Sequence, residues 1–553
     1  MKFKQILCFV LLAVTAVAQM PHQVAVLVNE NSQASKKAAN VFAGLHGIPR
    51  ENFIYLDLPE SMFSGRFECT PEEFKSRIYN PAVLTLEDRG LDNQVLALVY
   101  SVDFPIRIVT SPNDRQQMSI MGLTFLKGTV PDLEAMEKGQ IVSPLFAGPG
   151  QDNAQKLPPR SLDVWAAGLK DRMPLPAMML GYIGENGNSM ETVLRCIEDG
   201  ARAWQRNAGP RVLFVETDDS ARSGPREWQF DGVKAEMTAY AGVAVVTTNP
   251  APHQKDLTGV MTGAATVKPA DCGTFLPGAM AEHLTSWSAE FQKPQTKCTA
   301  WLEAGVTVTA GMVTEPYNNW VKFPHARFFA HYAAGCSAME SFYQSIASPM
   351  QVLLLGDPLS LIGALPVQIK PVGLSKEITS DLDAAFVVDA TFPVKTAQPV
   401  YSALLNGREI KHGEGNSLVE LPFAEMSDGY HNVRLIVQAL VPGRQVLPSG
   451  FKDVPVFINK KGRSVAITGL NDDLPSRITV TAETKGGEIP QSLYLLGSGR
   501  KLAEAAPGEA LIFDEKIIGE GPQHIQAVAV YADGMEVRSE PASFAIEFNP
   551  ADQ

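Results

Sequence analysis

Past residue 20 the chain has no apolar run long enough to cross a membrane, and past residue 365 it has neither tryptophan nor cysteine. The first absence excludes a transmembrane helix after the N-terminus, since a span needs about 20 apolar residues. The second removes a disulfide framework and an indole platform from the C-terminal third. Positive charge is also scarce. Lys and Arg number 47 against 60 Asp and Glu, for a formal charge of −13, which argues against a nucleic-acid partner because such proteins carry a basic face. No C-x-x-C pair and no cysteine with a histidine at ligand spacing occurs, so no structural zinc site is expected. The G-x-S-x-G elbow and the H-E-x-x-H motif are missing. The glycines of "GYIGENGNSMETVLRCIEDG" (181–200) fall in G-x-x-G-x-x-G spacing. That is neither the dinucleotide fingerprint nor a P-loop, so the stretch reads as a turn before a helix capped by Asn188 and Glu191, and no cofactor is expected.

What is present begins with a leader. Lys2 and Lys4 precede an apolar core over residues 6–17, and Ala16-Val17-Ala18 supplies a cleavage site. This is the pattern of a secretory signal peptide over 1–18, which places the protein in the periplasm, on the cell surface or outside the cell. Five cysteines follow it (Cys69, Cys196, Cys272, Cys298, Cys336). An odd number in an oxidising compartment leaves at least one unpaired within the chain.

A chain of 553 residues exceeds one hydrophobic core. From residue 19 to about 364, strand-like runs ("VAVLVN", "FIYLDL", "VLALVY", "RVLFVET", "MQVLLLG") alternate with helical segments. This predicts an α/β unit, a mostly parallel sheet flanked by helices. Gly47 with Pro49 stops a helix over roughly 33–45, and Thr70, Pro71 and Glu73 start another through a capping box. Residues 110–172, rich in Pro, Gly and polar residues, read as an insertion or as long loops over one end of the sheet. From about 365 short alternating strands take over, and they repeat. "YSALLNGREI" (401–410) is echoed by "LYLLGSGRKL" (493–502), and "DGYHNVRLIVQAL" (428–440) by "EGPQHIQAVAVYADG" (520–534). The offset of about 92 residues is that of tandem immunoglobulin-like β-sandwiches, expected over 365–460 and 461–549, with "NKKGR" (459–463) as linker.

The blocks "HQVAVLVNENSQASKKAANVFAGLHGIPRENFIYLDLP", "VLALVYSVDFPIRI", "FLPGAMAEHLTS", "VTAGMVTEPYNN" and "LLLGDPLS" together resemble a family of exported bacterial proteins of unknown function from exosortase-bearing species. The resemblance covers roughly residues 22–362. Several blocks are also similar to the gingipain-type cysteine peptidases, which implies a caspase-like sheet. Where gingipains carry a catalytic His-Gly at a strand end, this chain reads "YSVDFP" and offers Asp103.

Cys272 has three readings: a nucleophile, half of a disulfide with Cys298, or a buried structural thiol. As a nucleophile it needs an imidazole to lower its pKa. The candidates are His283, expected within a helix, and His253, in the loop before "DLTGVMTGAATV". The resemblance also marks His283, Glu315 and Tyr317 as site residues, with helix capping and loop anchoring as the alternative. Two functions follow from different classes. One is a non-catalytic binding or assembly protein on a degenerate peptidase scaffold, its partner an extracellular protein, glycoprotein or envelope component. The other is a secreted cysteine peptidase.

Overall fold

The computed structural model describes residues 20–548 apart from 206–208, 250–252, 363–366, 393, 442–445 and 475. The expected leader (1–18) and the expected domain junction at 364–365 lie outside the described residues. Among them, no helix is long and apolar enough to cross a membrane.

Ten strands form one sheet: β1 (Val24–Asn29), β2 (Phe53–Leu56), β3 (Ala97–Tyr100), β4 (Ala177–Met179), β5 (Arg211–Glu216), β6 (Val243–Thr248), β7 (Gln254–Gly263), β8 (Gly273–Leu284), β9 (Val308–Met312) and β10 (Val352–Gly356). Their order is β2-β1-β3-β4-β10-β9-β8-β7-β5-β6. Every neighbouring pair is parallel except β9 and β10, which run antiparallel with Val308 opposite Gly356 and Met312 opposite Val352. The sheet is therefore two five-stranded parallel halves joined back to back. Each half repeats one order, β2-β1-β3-β4 in the first and β6-β5-β7-β8 in the second. Because the join is antiparallel, the carboxyl ends of the two halves lie on opposite edges of the sheet.

Local signals read from the sequence recur in the structure. Helix α1 (Gln33–His46) is capped by Ser32 and ends at Gly47, whose φ of 67° is the left-handed conformation a glycine cap takes. The Thr70–Glu73 capping box forms as expected. Helix α2 (Met190–Arg202) is capped by Ser189 rather than Asn188. Asn188 instead donates to Thr299 O and to Glu303 Oε1. The stretch expected as an insertion or as long loops, 110–172, includes helices Ile120–Phe125, Leu133–Glu137 and Leu162–Leu169. The first is buried throughout, and Arg327 fastens the following loop through Ala147 O (2.9 Å) and Leu157 O (2.7 Å). Scarce hydrophobic periodicity hid a segment whose backbone is satisfied by a buried guanidinium.

The C-terminal part is mostly antiparallel, with parallel pairing only of Glu377–Ile378 to Phe457–Ile458 and of Gly429 to Arg538 among the described residues. It forms two layered β-units with separate cores, one around Phe386, Val433, Leu435 and Val456, the other around Val480, Leu495, Ala527 and Val537. The 92-residue repeat reappears as two equivalent hairpin turns. Asn406 and Gly407 have φ of 49° and 84°, and Ser498 and Gly499 have 48° and 73°, the positive pair a two-residue hairpin requires. Both turns meet the α/β unit. Gln94 Nε2 donates to Gly407 O (2.8 Å) and Arg89 donates to Gly499 O (3.0 Å). Asn40 of α1 bonds Ile518 O and Glu520 O, each at 2.8 Å, and Met20 shares a small apolar core with Leu404, Ile436 and Phe451. The β-units are docked modules. The "NKKGR" linker is also tied down, because the buried Asp428 carboxylate accepts the backbone N–H groups of Lys460, Lys461 and Arg463 at 2.8, 2.9 and 3.0 Å.

Candidate functional site

In open parallel sheets ligands bind beyond the carboxyl ends of the strands, where the strand order reverses. Two such places exist here, after β1 and β3 and after β5 and β7. Their first turns echo each other. "NENSQAS" (29–35) and "TDDSARS" (217–223) each place a serine whose Oγ accepts the strand-end N–H, Ser35 from Asn29 (2.8 Å) and Ser223 from Thr217 (2.9 Å). The fifth strands of both halves also lead into an acid–proline pair, Glu315-Pro316 after β9 and Asp357-Pro358 after β10.

At the first edge the polar groups are consumed internally. Asp103, held at φ 58°, accepts from Ser32 Oγ (2.6 Å) through its carboxylate and from Asn29 Nδ2 (2.9 Å) through its carbonyl. Ser35 and Ser101 share a hydrogen bond beneath it. Burial pushes the Asp103 carboxyl up, and the Ser32 hydroxyl partly offsets this. The second β-unit overlies the neighbouring groups. Arg500 pairs with Glu30 at 3.4 Å and lies 3.7 Å above the Tyr55 ring, while Lys36 donates to Lys516 O. Asp103 thus works as a strut between β3 and the start of α1. Asp357 is also enclosed, paired with His46 Nε2 at 2.7 Å.

The second edge is open and brings Glu315 and Tyr317 together. Glu315 Oε1 accepts from Ser286 Oγ (3.1 Å) and from the Tyr317 N–H (2.9 Å). Tyr317 adopts φ 56°, a strained conformation for an aromatic residue, and leaves 44% of its surface exposed. Arg115 sits over its ring at 5.2 Å and donates to its hydroxyl. The two residues line an open pocket of about 610 Å³ with Gln151, Asn318, Asn319 and Trp320. Trp320 is braced by Trp228 (5.3 Å between centroids) and Phe146 (6.1 Å). At the same carboxyl edge, Arg222 from helix α3 (Ser220–Met237) holds Asp219 at 2.8 Å and Thr285 at 3.2 Å. Sequence reasoning found the acid and the tyrosine of this pocket but missed the rest. The signal was the continuation of the same motif, "YNNW", two amides between two aromatics.

Cys272 and His283 are not brought together. Cys272 ends a short helix at the amino end of β8 and His283 lies eleven residues on, near the carboxyl end. At about 3.3 Å per residue the separation is on the order of 30 Å. His283 is in a strand, not the expected helix, because β8 is long and fully buried at that end. Its ring is satisfied in the core: Trp301 Nε1–H donates to Nδ1 (2.9 Å), and Nε2–H donates to Thr296 O (3.1 Å). Burial pushes its pKa down to about 3. The Cys272 thiol is pushed up to about 11, first by burial and then by the Asp271 carboxylate, the reverse of what a nucleophilic thiolate requires. The Cys272–Cys298 disulfide, one of the three readings of Cys272, does not form, and all five described cysteines are free. Exposed His253 does lie close by in register, since the next residue, Gln254, pairs with Gly273. Among the described residues no hydrogen bond joins His253 to Cys272. Gly273 itself cannot carry a side chain, as a Cβ there would lie 1.9 Å from Gln254 O.

The glycine-rich turn before α2 holds no free anion cradle. The Glu303 carboxylate accepts from Asn188, the Ser189 N–H and Thr192 Oγ1 at that helix start. Burial raises its pKa, but these bonds outweigh burial and leave it lowered. Deeper in the second half, Arg226 and Glu282 form an ion pair with each side chain 1% exposed.

No family model matches the chain, and no curated protein matches it. Among solved structures, fibronectin(III)-like modules of CbhA from Clostridium thermocellum are 16% identical with a TM-score of 0.13, covering 32% of this chain and 92% of that one. SGBP-B of the Bacteroides ovatus mixed-linkage glucan utilization locus, in complex with a mixed-linkage heptasaccharide, is 13% identical with a TM-score of 0.17, covering 31% of this chain and 43% of its own. A two-domain fibronectin type-III segment of chicken tenascin is 11% identical with a TM-score of 0.13, covering 32% and 99%. Each likeness spans about a third of this chain.

Proposed function

We propose that this chain is an exported bacterial protein of the envelope or extracellular space that binds a ligand rather than cleaving one. In this reading a caspase-like, gingipain-type α/β unit has lost peptidase chemistry and carries two immunoglobulin-like modules. Its partner is an extracellular protein, a glycoprotein or another envelope component. The observation that carries it is the placement of the candidate residues. Glu315 and Tyr317 share an open pocket at a carboxyl edge, whereas Cys272 sits at the opposite edge from His283 with a thiol held protonated. The leader at 1–18 supports export, and N-terminal sequencing of the protein from its host should begin near Gln19.

The test of the non-catalytic reading is thiol reactivity. Native protein should label slowly at Cys272 with iodoacetamide at neutral pH and fully only after unfolding. A second reading, a cysteine peptidase with His253 as base, is favoured by one observation, the shared register of Gln254 and Gly273. Rapid labelling lost on His253→Ala would establish it and overturn the first.

A further inference from the structure

We propose that the Tyr317–Trp320 pocket binds a neutral carbohydrate chain, an inference that rests on reading the open edge as a ligand site. A pyranose ring presents apolar C–H faces and a rim of hydroxyls. A site for it needs aromatic surface bordered by amides and a carboxylate that exchange hydrogen bonds with that rim, and this pocket is lined by that combination. Tyr317 and Trp320 supply the aromatic surface, Gln151, Asn318 and Asn319 the amides, and Glu315 the carboxylate. Its volume, about 610 Å³, falls within the roughly 300–1,000 Å³ of small-ligand sites.

The groups are fixed in advance, yet hydrogen-bonding capacity remains. Ser286 and the Tyr317 N–H anchor Glu315 through Oε1. Among the described residues Oε2 has no hydrogen bond, which leaves it to accept from a hydroxyl. The side-chain amides of Gln151 and Asn318 likewise have no hydrogen-bond partner among the described residues. Arg115 covers one face of the Tyr317 ring, and the exposure of that residue leaves surface for a sugar. Trp228 and Phe146 hold Trp320 in place. Rigid aromatics reduce the ordering cost of binding. Charge selects among sugars. Among the described residues that line the pocket the one ionised group is the Glu315 carboxylate, which repels uronates and phosphorylated or sialylated chains, while the neighbouring Arg115 is engaged with the Tyr317 ring and hydroxyl.

The experiment is calorimetric titration of the full mature chain, followed in parallel by tryptophan fluorescence. The probes are neutral hexasaccharides of glucose, of mannose and of N-acetylglucosamine, and a hexagalacturonate. At least one neutral chain should bind with a millimolar or tighter Kd, and the uronate should not. Tyr317→Ala should weaken binding by about tenfold or more, the scale of a lost aromatic contact, with an unchanged melting temperature. Trp320→Leu should do the same, and if that variant misfolds the exposed Tyr317 decides. No neutral binding, equal binding of the uronate, or full affinity in Tyr317→Ala overturns the carbohydrate assignment. A peptide pool run on the same protein separates the two levels. Peptide binding lost in Tyr317→Ala, without saccharide binding, ends the carbohydrate inference and keeps the ligand edge. Cys272-dependent peptide cleavage ends the binding reading itself.

Discussion

The two halves of the ten-stranded sheet share strand order, the serine turn after their first strand and an acid–proline exit from their last, yet their carboxyl edges have opposite fates. In the first half Asp103, Ser32, Ser35 and Ser101 close on one another, and the second β-unit lies over Glu30 and Tyr55. In the second half the equivalent edge opens into a pocket where an exposed tyrosine holds a strained backbone. One repeat of the strand order thus meets the β-unit and the other faces solvent. At Tyr317 a left-handed backbone coincides with exposure, and its N–H is held by Glu315. Asp103 carries the same left-handed strain, and there the Ser32 and Asn29 bonds account for it.

The comparison can be broken at several strengths. The largest effect should come from Glu282→Ala, which leaves Arg226 buried without its counter-charge. Such a loss costs about 3–5 kcal/mol, and chemical denaturation should show the second half unfolding first. Acid should act next and in the same direction. His283 and His325 are held by burial at about 3, and His331 well below its usual value. All three belong to the second half or the helices on it, against His22 beside β1, also about 3. The unfolded chain binds protons at these histidines below about 6.5 while the folded chain does not, so they withdraw stability as pH drops from there toward 3. This is partly offset by Glu282, whose carboxyl is pushed up to about 7 by burial, so that it is protonated first in the folded chain. Each histidine contributes roughly 1.4 kcal/mol per pH unit. Hydrogen exchange at pH 5 should show β7–β9 losing protection before β1–β3.

Asn40→Ala should cost about 1–3 kcal/mol, since it strands two carbonyls of the docked β-unit. The loss should appear as faster proteolysis of the second β-unit, with the Tyr317 pocket unaffected. Ser35→Ala and Ser223→Ala should each cost about 1 kcal/mol, and near-equal losses would sharpen the claim that the turns are equivalent. The smallest effect should be Tyr317→Gly. Glycine accepts the left-handed backbone freely, so stability should be unchanged or rise by up to about 1 kcal/mol, while ligand affinity falls.

How much of this was legible in the sequence depended on the range of the signal. Gly47, the Thr70–Glu73 box and Asn406-Gly407 act within four residues, and their structures followed from their chemistry. The 92-residue repeat was visible because whole strands recur. The repeated strand order inside the α/β unit was not, because parallel strands buried on both faces all read as Val- and Leu-rich runs. Only the short "NENSQAS" and "TDDSARS" turns betray it. His283 looked helical in a small-residue context, but β8 runs twelve residues, longer than most strands. Cys272 and His283 were close in sequence, and an extended strand set them at opposite edges. Glu315 and Tyr317 were found because a local motif carried both. Gln151 belongs to the same pocket from 164 residues away in the chain, a distance no local pattern bridges.

Carboxylate labelling tests the contrast between the two edges most directly and needs no ligand. Native protein treated with a carbodiimide and glycine ethyl ester, then digested and analysed by mass spectrometry, reports the accessibility of each acid. The account predicts rapid modification of Glu315 and slow modification of Asp103 and Asp357. Modification of Asp103 as fast as that of Glu315 would mean that the first edge is as open as the second, and would contradict it.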